Sequence, residues 1–239
     1  MFESLQLLWI EEPGRGLSLL NGFYHTIQIA VGAYALGLTL GLCGALGKIH
    51  GSGITRWFLE AYTLLVRAIP ELVLILLLYF SGTAGLNALL LSLGFERVDI
   101  SGLMAGILVL GVVQGAYSTE VIRAAILAVP KGEQEAALAI GMSRTQTLFR
   151  ITLPAAIPFA IPGLANLWLI VTKDTALLAV VGFFELATET KAAAGSTRAY
   201  FTFYMAAAML YLSLTLVSNR AFSWLERRYT RGRAGSGAM

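Results

Sequence analysis

Two groups of residues in this sequence are of types that recognise a charged solute. The first is Lys173, Asp174 and Thr175, consecutive polar residues that close the apolar run PGLANLWLIVTKDT. A carboxylate such as Asp174 accepts an ammonium or guanidinium group, and an ammonium such as Lys173 meets a carboxylate. An α-amino acid presents both signs, so the pair suits it. A bridge between Lys173 and Asp174 themselves, or an interfacial anchor, is the alternative. The second group lies in QGAYSTEVIRAA, where Gln114, Tyr117 and Glu120 recur every three residues. On a helix that spacing gives one broad face, and Thr119 adds to its polarity. Ionisable groups inside a bilayer are expensive and mark a pathway or a buried pair. Glu120 therefore either lines a hydrated path or pairs with Arg123, three residues on. Arg67 and Glu71 flank Pro70 in LVRAIPELVL. Their spacing allows a contact between helical turns across a proline kink, which reads as a brace.

Such residues need long apolar helices to place them. The 239 residues are 57% hydrophobic and 13% charged, with a mean hydropathy of +0.73. Soluble domains carry about 25% charged residues, so the composition is that of an all-α membrane protein. Five apolar runs are long enough to span a bilayer, at about 22–47, 57–81, 100–128, 155–174 and 200–224. The stretch 175–190 is also apolar, but it is short and interrupted by Glu185 and Glu189; it reads as a re-entrant or interfacial helix buried by protein. Residues 1–20 read as an interfacial segment with Trp9 at the headgroup level. The start carries Glu3 and no positive region, so no secretory leader is expected. One domain over 1–239 suffices, ending in a flexible tail after Arg233. Gly37 and Gly41 fit the small-xxx-small spacing of closely packed membrane helices.

Several chemistries are excluded. The single cysteine, Cys43, lies in an apolar run and suits neither a disulfide nor a thiolate metal site. His25 and His50 fall near opposite ends of the first span, so no zinc site is built there and no metal is expected. The net charge of +3 is spread along the chain and does not suggest nucleic-acid binding. No G-x-x-x-x-G-K-[ST] occurs, so the chain has no P-loop for ATP. No span serine has a convincingly spaced His or Asp, so no intramembrane catalytic site is expected.

Between the third and fourth spans lies a polar, helix-forming loop, 129–154, with the sequence VPKGEQEAALAIGMSRTQTLFRITLP. Glu133 to Ile140 favour helix, Gly141 ends it through a left-handed turn, and Ser143 with Gln146 forms a capping box for a second short helix. Pro154 and Pro158 fall in the early turns of the next run. Placing this loop inside puts nine Lys and Arg on inner segments, from Lys48 and Arg56 to Arg231 and Arg233. Only four, Arg15, Arg97, Lys191 and Arg198, fall on outer ones. The positive-inside rule then gives an outer N-terminus and a cytoplasmic C-terminus.

The loop resembles the EAA loop of ABC importer permeases: Glu135-Ala136-Ala137, three residues, Gly141, nine residues, then Ile151-Thr152-Leu153-Pro154. With LVRAIPELVL, GAYSTEVIRAA, PGLANLWLIVTKDTALLAVVG and SNRAFSWLERRY, the resemblance covers nearly all of 18–231. The chain is similar to permease subunits of polar amino acid ABC importers, nearest the histidine/lysine-arginine-ornithine and opine branch. That resemblance implies the type I importer permease fold, with five spans and a cytoplasmic coupling-helix loop, in a bacterial inner membrane. It implies a second permease subunit, identical or homologous, and two ATPase subunits that hold ATP and Mg. A periplasmic or lipid-anchored binding protein would deliver the amino acid. The chain itself is then a non-catalytic subunit with no cofactor. Glu135, Ala136, Ala137 and Gly141 would couple to the ATPase, with small Ala136 and Ala137 on one docking face. Gln114, Tyr117, Glu120, Lys173, Asp174, Thr175 and Leu178 would form the substrate path, with Tyr24, His25, Thr26 and Gln28 at its outer end. The rival reading is a secondary transporter or channel using Glu120 and Asp174 as an ion relay, for which the docking loop has no use.

Overall fold

The computed structural model describes residues 7–9, 15–97 and 101–230. The expected interfacial segment lies mostly outside this range, as does the tail after Arg233. Every regular element described is helical. In chain order these are α1 (Gly16–His50), α2 (Gly53–Ala68), α3 (Glu71–Ser92), α4 (Gly102–Leu127), α5 (Lys131–Ala139), α6 (Arg144–Thr147), a π turn (Leu148–Thr152), α7 (Leu153–Asp174), a 3-10 stretch (Thr175–Val181), α8 (Leu186–Thr197) and α9 (Tyr200–Thr230). Five stretches are long and apolar enough to cross a membrane: Gly16–His50, Glu71–Ser92, Gly102–Leu127, Arg144–Val181 and Tyr200–Tyr229.

The second expected span is corrected. Residues 57–81 do not form one kinked helix. α2 stops at Ala68, Ile69 and Pro70 are extended, and the crossing helix α3 starts at Glu71 and runs to Ser92. Pro70 has no N–H to donate and its ring crowds the carbonyl of the preceding turn, which weakens the helix here enough for the chain to break. The break also dissolves the expected Arg67–Glu71 brace, because the two residues no longer share a helical face. Other bounds move less. The 35 residues of α1 make a rod of about 50 Å at 1.5 Å per residue, against ~30 Å of hydrocarbon. The segment after Thr175 is a tight 3-10 turn that ends at Gly182 with φ +82°, followed by α8.

α1 and α4 form the central pair, and glycines let them approach. A Cβ on Gly37 would stand 2.6 Å from Gln114 Cγ, and one on Gly111 would stand 2.5 Å from Leu36 Cδ2. Overpacking of this kind costs about 1–3 kcal/mol. Gly37→Val is therefore expected to lower the thermal stability of the purified protein by about that amount, read as a reduced Tm. The aromatic side chains tie further helices to the pair. Tyr34 Oη donates to the Leu164 carbonyl at 2.9 Å, and Trp168 Nε1 donates to Ser218 Oγ at 2.8 Å. Ile29, Ile75, Leu110, Val171, Leu178 and Phe183 pack into one buried cluster at this junction.

The loop after α4 folds largely as its sequence dictates. Gly141 takes φ +88°, and its N–H meets the Leu138 carbonyl at 3.0 Å. Ser143 Oγ accepts from the Gln146 N–H at 3.3 Å, while Gln146 Oε1 accepts from the Ser143 N–H at 2.9 Å, which closes the capping box. Ahead of Pro154 the chain widens into the π turn, which accommodates the missing proline donor.

Candidate functional site

Two charged clusters lie near one another, and Arg67 and Tyr117 of the first, with Lys48, Thr63 and Glu120 of the second, help to line a cavity of about 610 Å³ beside α2 and α4. The first cluster gathers at the break between α2 and α3. Tyr117 Oη donates to Glu71 Oε1 at 3.3 Å. Asp174, at the end of α7, lies within Coulombic reach of Glu71 and Lys173. Arg67 and Asp174 both lie within Coulombic reach of Tyr117. Arg67 and Lys173 are exposed, whereas Glu71, Tyr117 and Asp174 are half-buried. Two carboxylates, two cations and a phenol are thus gathered around this break. That is donor and acceptor chemistry for a zwitterion carrying an extra positive charge.

The second cluster lies towards the end of α1. Lys48 Nζ sits 2.5 Å from Glu120 Oε1 and donates to Thr63 Oγ1 at 2.6 Å. Arg123 Nη2 meets Glu120 Oε2 at 2.9 Å. Glu120 is therefore clamped by two cations from two helices. Lys48, which the sequence placed only as an inner-loop charge, is 7% exposed. Nothing local points to it, since its partner lies 72 residues away.

Three expected path residues are turned elsewhere. Gln114 is buried against Gly37 in the α1–α4 seam, so it does not share an open face with Tyr117 and Glu120. Its Nε2, like Ser118 Oγ, meets no partner among the described residues. Thr175 is fully buried, and its Oγ1 donates to the Thr172 carbonyl at 2.9 Å. Leu178 is fully buried in the core cluster beside Ile29. The geometry of the backbone explains Gln114 in one way and Thr175 and Leu178 in another. A period of three drifts around a 3.6-residue helix, and the 3-10 turn re-aims whatever follows Asp174.

Glu185, read from sequence only as an interruption, is fully buried. It caps α8, accepting from the N–H groups of Ala187 and Thr188 at 2.8 and 2.7 Å, and its Oε2 accepts from Tyr211 Oη at 3.3 Å. Burial pushes its carboxyl up, and the two backbone N–H groups pull it back. Thr26 Oγ1 accepts from the Leu186 N–H at 3.1 Å, which ties α1 to the same corner. His25 Nδ1 lies 3.0 Å from Gln28 Oε1, a local contact.

On the loop, Glu135, Ala136 and Gly141 are exposed but Ala137 is buried. Ala136 and Ala137 therefore do not share one outward face. Adjacent residues stand about 100° apart on a helix. Ile140, Phe149 and Leu138, at 80, 58 and 46% exposed, supply the apolar part of the outward surface instead. Behind them lies a second cavity, of about 650 Å³, edged by His50, Lys131 and Arg144.

Residues 18–231 match the model of the family described as binding-protein-dependent transport system inner membrane component. The chain is 40% identical to the histidine/lysine/arginine/ornithine transport system permease protein HisQ of Salmonella typhimurium, over 90% of this chain and 94% of that one. It is 40% identical to the nopaline transport system permease protein NocQ of Agrobacterium fabrum, over 95% of this chain and 98% of that one. Its backbone superposes with a TM-score of 0.75 on a chain from a crystal structure of an amino acid ABC transporter with histidines, at 29% identity, covering 89% of this chain and 94% of that chain.

Proposed function

The chain belongs to the family of binding-protein-dependent transport system inner membrane components, and from that premise we propose that its open cavity carries a cationic amino acid or an opine across the membrane. It is a permease subunit, and it is not the catalyst of the ATP-driven step. One observation carries the substrate reading: the joining of Glu71, Asp174, Arg67 and Tyr117 at the α2–α3 break. Arg67 and Lys173 suit an α-carboxylate. Glu71 and Asp174 suit an α-ammonium and a cationic side chain. The relatives named for histidine, lysine, arginine, ornithine and nopaline transport support it.

A second permease subunit, two ATPase subunits holding ATP and Mg, and a substrate-binding protein complete the proposed assembly. The N-terminus lies outside and the C-terminus in the cytoplasm. ATP closes the ATPase pair, the seated loops 129–154 move with it, and the cavity opens towards the binding protein. Hydrolysis returns it to face inward. The solute biases this cycle only through its different affinity for the two states.

The test is uptake by the complex reconstituted with its ATPase and binding protein, run over arginine, lysine, histidine, glutamine and glutamate. ATP-dependent uptake that favours the cations is expected. Equal uptake of all five would overturn the substrate reading, and uptake driven by an ion gradient without the ATPase would overturn the assembly. Within the loop, Gly141→Asp forces a side chain onto a backbone at φ +88° and adds a charge to the outward surface. It is expected to leave insertion intact while lowering transport at least about 10-fold, equivalent to a docking loss of about 1.4 kcal/mol. Normal transport in that variant would place the ATPase contact elsewhere.

A further inference from the structure

The far end of α9 carries cations that the transport cycle described above does not use. Arg220, Trp224, Arg227 and Arg228 surround an open hollow of about 320 Å³. A second hollow, of about 420 Å³, adjoins it through Arg220 and Arg227 and reaches Leu216, Asn219 and Ser223. None of the three guanidinium groups is ion-paired among the described residues. Like charges crowded into two turns repel, so the cluster is held together by other contacts. Arg228 lies over the Trp224 ring, 5.6 Å from its centroid. Arg227 Nε donates to the Ser223 carbonyl at 3.2 Å. Glu226, the acid of these turns, lies on a different face, about 160° from Trp224 at 100° per residue.

The neighbouring surface narrows the ligand. Leu216 and Leu212 stand about one and two turns before Arg220, on the same side of the helix. They are 60 and 50% exposed, and they belong to the apolar stretch Tyr200–Tyr229. An apolar strip that leads from the membrane into a cationic hollow beside an exposed Trp has the shape of one lipid molecule. Arginine forks suit phosphate oxygens, and Trp settles at headgroup depth. We propose that Arg220, Trp224, Arg227 and Arg228 bind the phosphate of an anionic phospholipid, with an acyl chain lying along Leu212 and Leu216. An acidic protein surface would satisfy the arginines but leave the apolar strip bare.

The test is native mass spectrometry of the detergent-solubilised complex titrated with phosphatidylglycerol, phosphatidylcholine or inorganic phosphate. Each basic residue beside an anionic surface strengthens attachment about five-fold. Phosphatidylglycerol is therefore expected to bind at least about 10-fold more tightly than phosphatidylcholine, with no displacement by inorganic phosphate at equal concentration. R220Q/R227Q is expected to erase that preference, and R220K/R227K to keep part of it. Equal binding of the two lipids by the unaltered protein would overturn the proposal without recourse to any variant. Displacement by inorganic phosphate would show a simple anion site and overturn the lipid assignment. Loss of the ATPase from R220Q/R227Q with lipid preference unchanged would assign the arginines to a protein contact and overturn it too.

Discussion

Asp174→Ala is expected to lower transport of a cationic amino acid by about 10- to 100-fold, because one charge-assisted contact contributes about 1.5–3 kcal/mol and each 1.4 kcal/mol is tenfold. Transport of a neutral amino acid should fall far less. Asp174 is half-buried at the end of α7, within reach of both Glu71 and Lys173. Removing it leaves Glu71 as the remaining carboxylate for the α-ammonium, and no second one for the side-chain cation. Glu71→Gln should give a related but broader loss, since the α-ammonium is common to every amino acid. Uptake of arginine and glutamine by the same reconstituted complex separates the two effects. If Asp174→Ala lowers both solutes equally, the residue is holding the end of α7 and not recognising charge.

Lys48→Met is expected to destabilise the protein by about 3 kcal/mol, the low end of the range for removing one partner of a buried pair. The low end applies because Glu120 would keep Arg123, at 2.9 Å. Thr63 would also lose the donor it now meets at 2.6 Å. A double change, Lys48→Met with Glu120→Leu, should recover much of the loss, because the stranded carboxylate is then gone. Thermal unfolding of the three purified proteins checks this. A double variant no more stable than Lys48→Met would mean that the pair contributes through packing of the lysine stem and not through charge.

Local chemistry explains which features were legible without coordinates. The loop 129–154 was readable to the level of single hydrogen bonds, because a capping box and a left-handed glycine depend on residues within three or four positions of one another. Four of the five spans were readable because transfer of an apolar run into lipid is a property of that run alone. The course of the stretch 57–81 is not a property of that run alone. A proline inside an apolar run permits either a kink or a stop, and the choice falls to what the two pieces pack against. Val66 of α2 and Leu74 of α3 bury themselves together with Val113 and Ala116 of α4, which fixes the break.

The sequence by itself determined four of the five membrane helices, the caps and turn of the polar loop 129–154, the family and the presence of Tyr117, Glu120, Lys173 and Asp174 as groups able to handle charge. Only the tertiary structure decided their partners. It gave Glu120 to Lys48, Glu71 to Tyr117, and Gln114, Thr175 and Leu178 to the interior. The physical reason is that a helix's rotation about its axis is set by its neighbours. Here the close contact of Gly37 with Gln114 and of Gly111 with Leu36 fixes how α1 and α4 face each other, and a few tens of degrees moves a side chain from the cavity to the core.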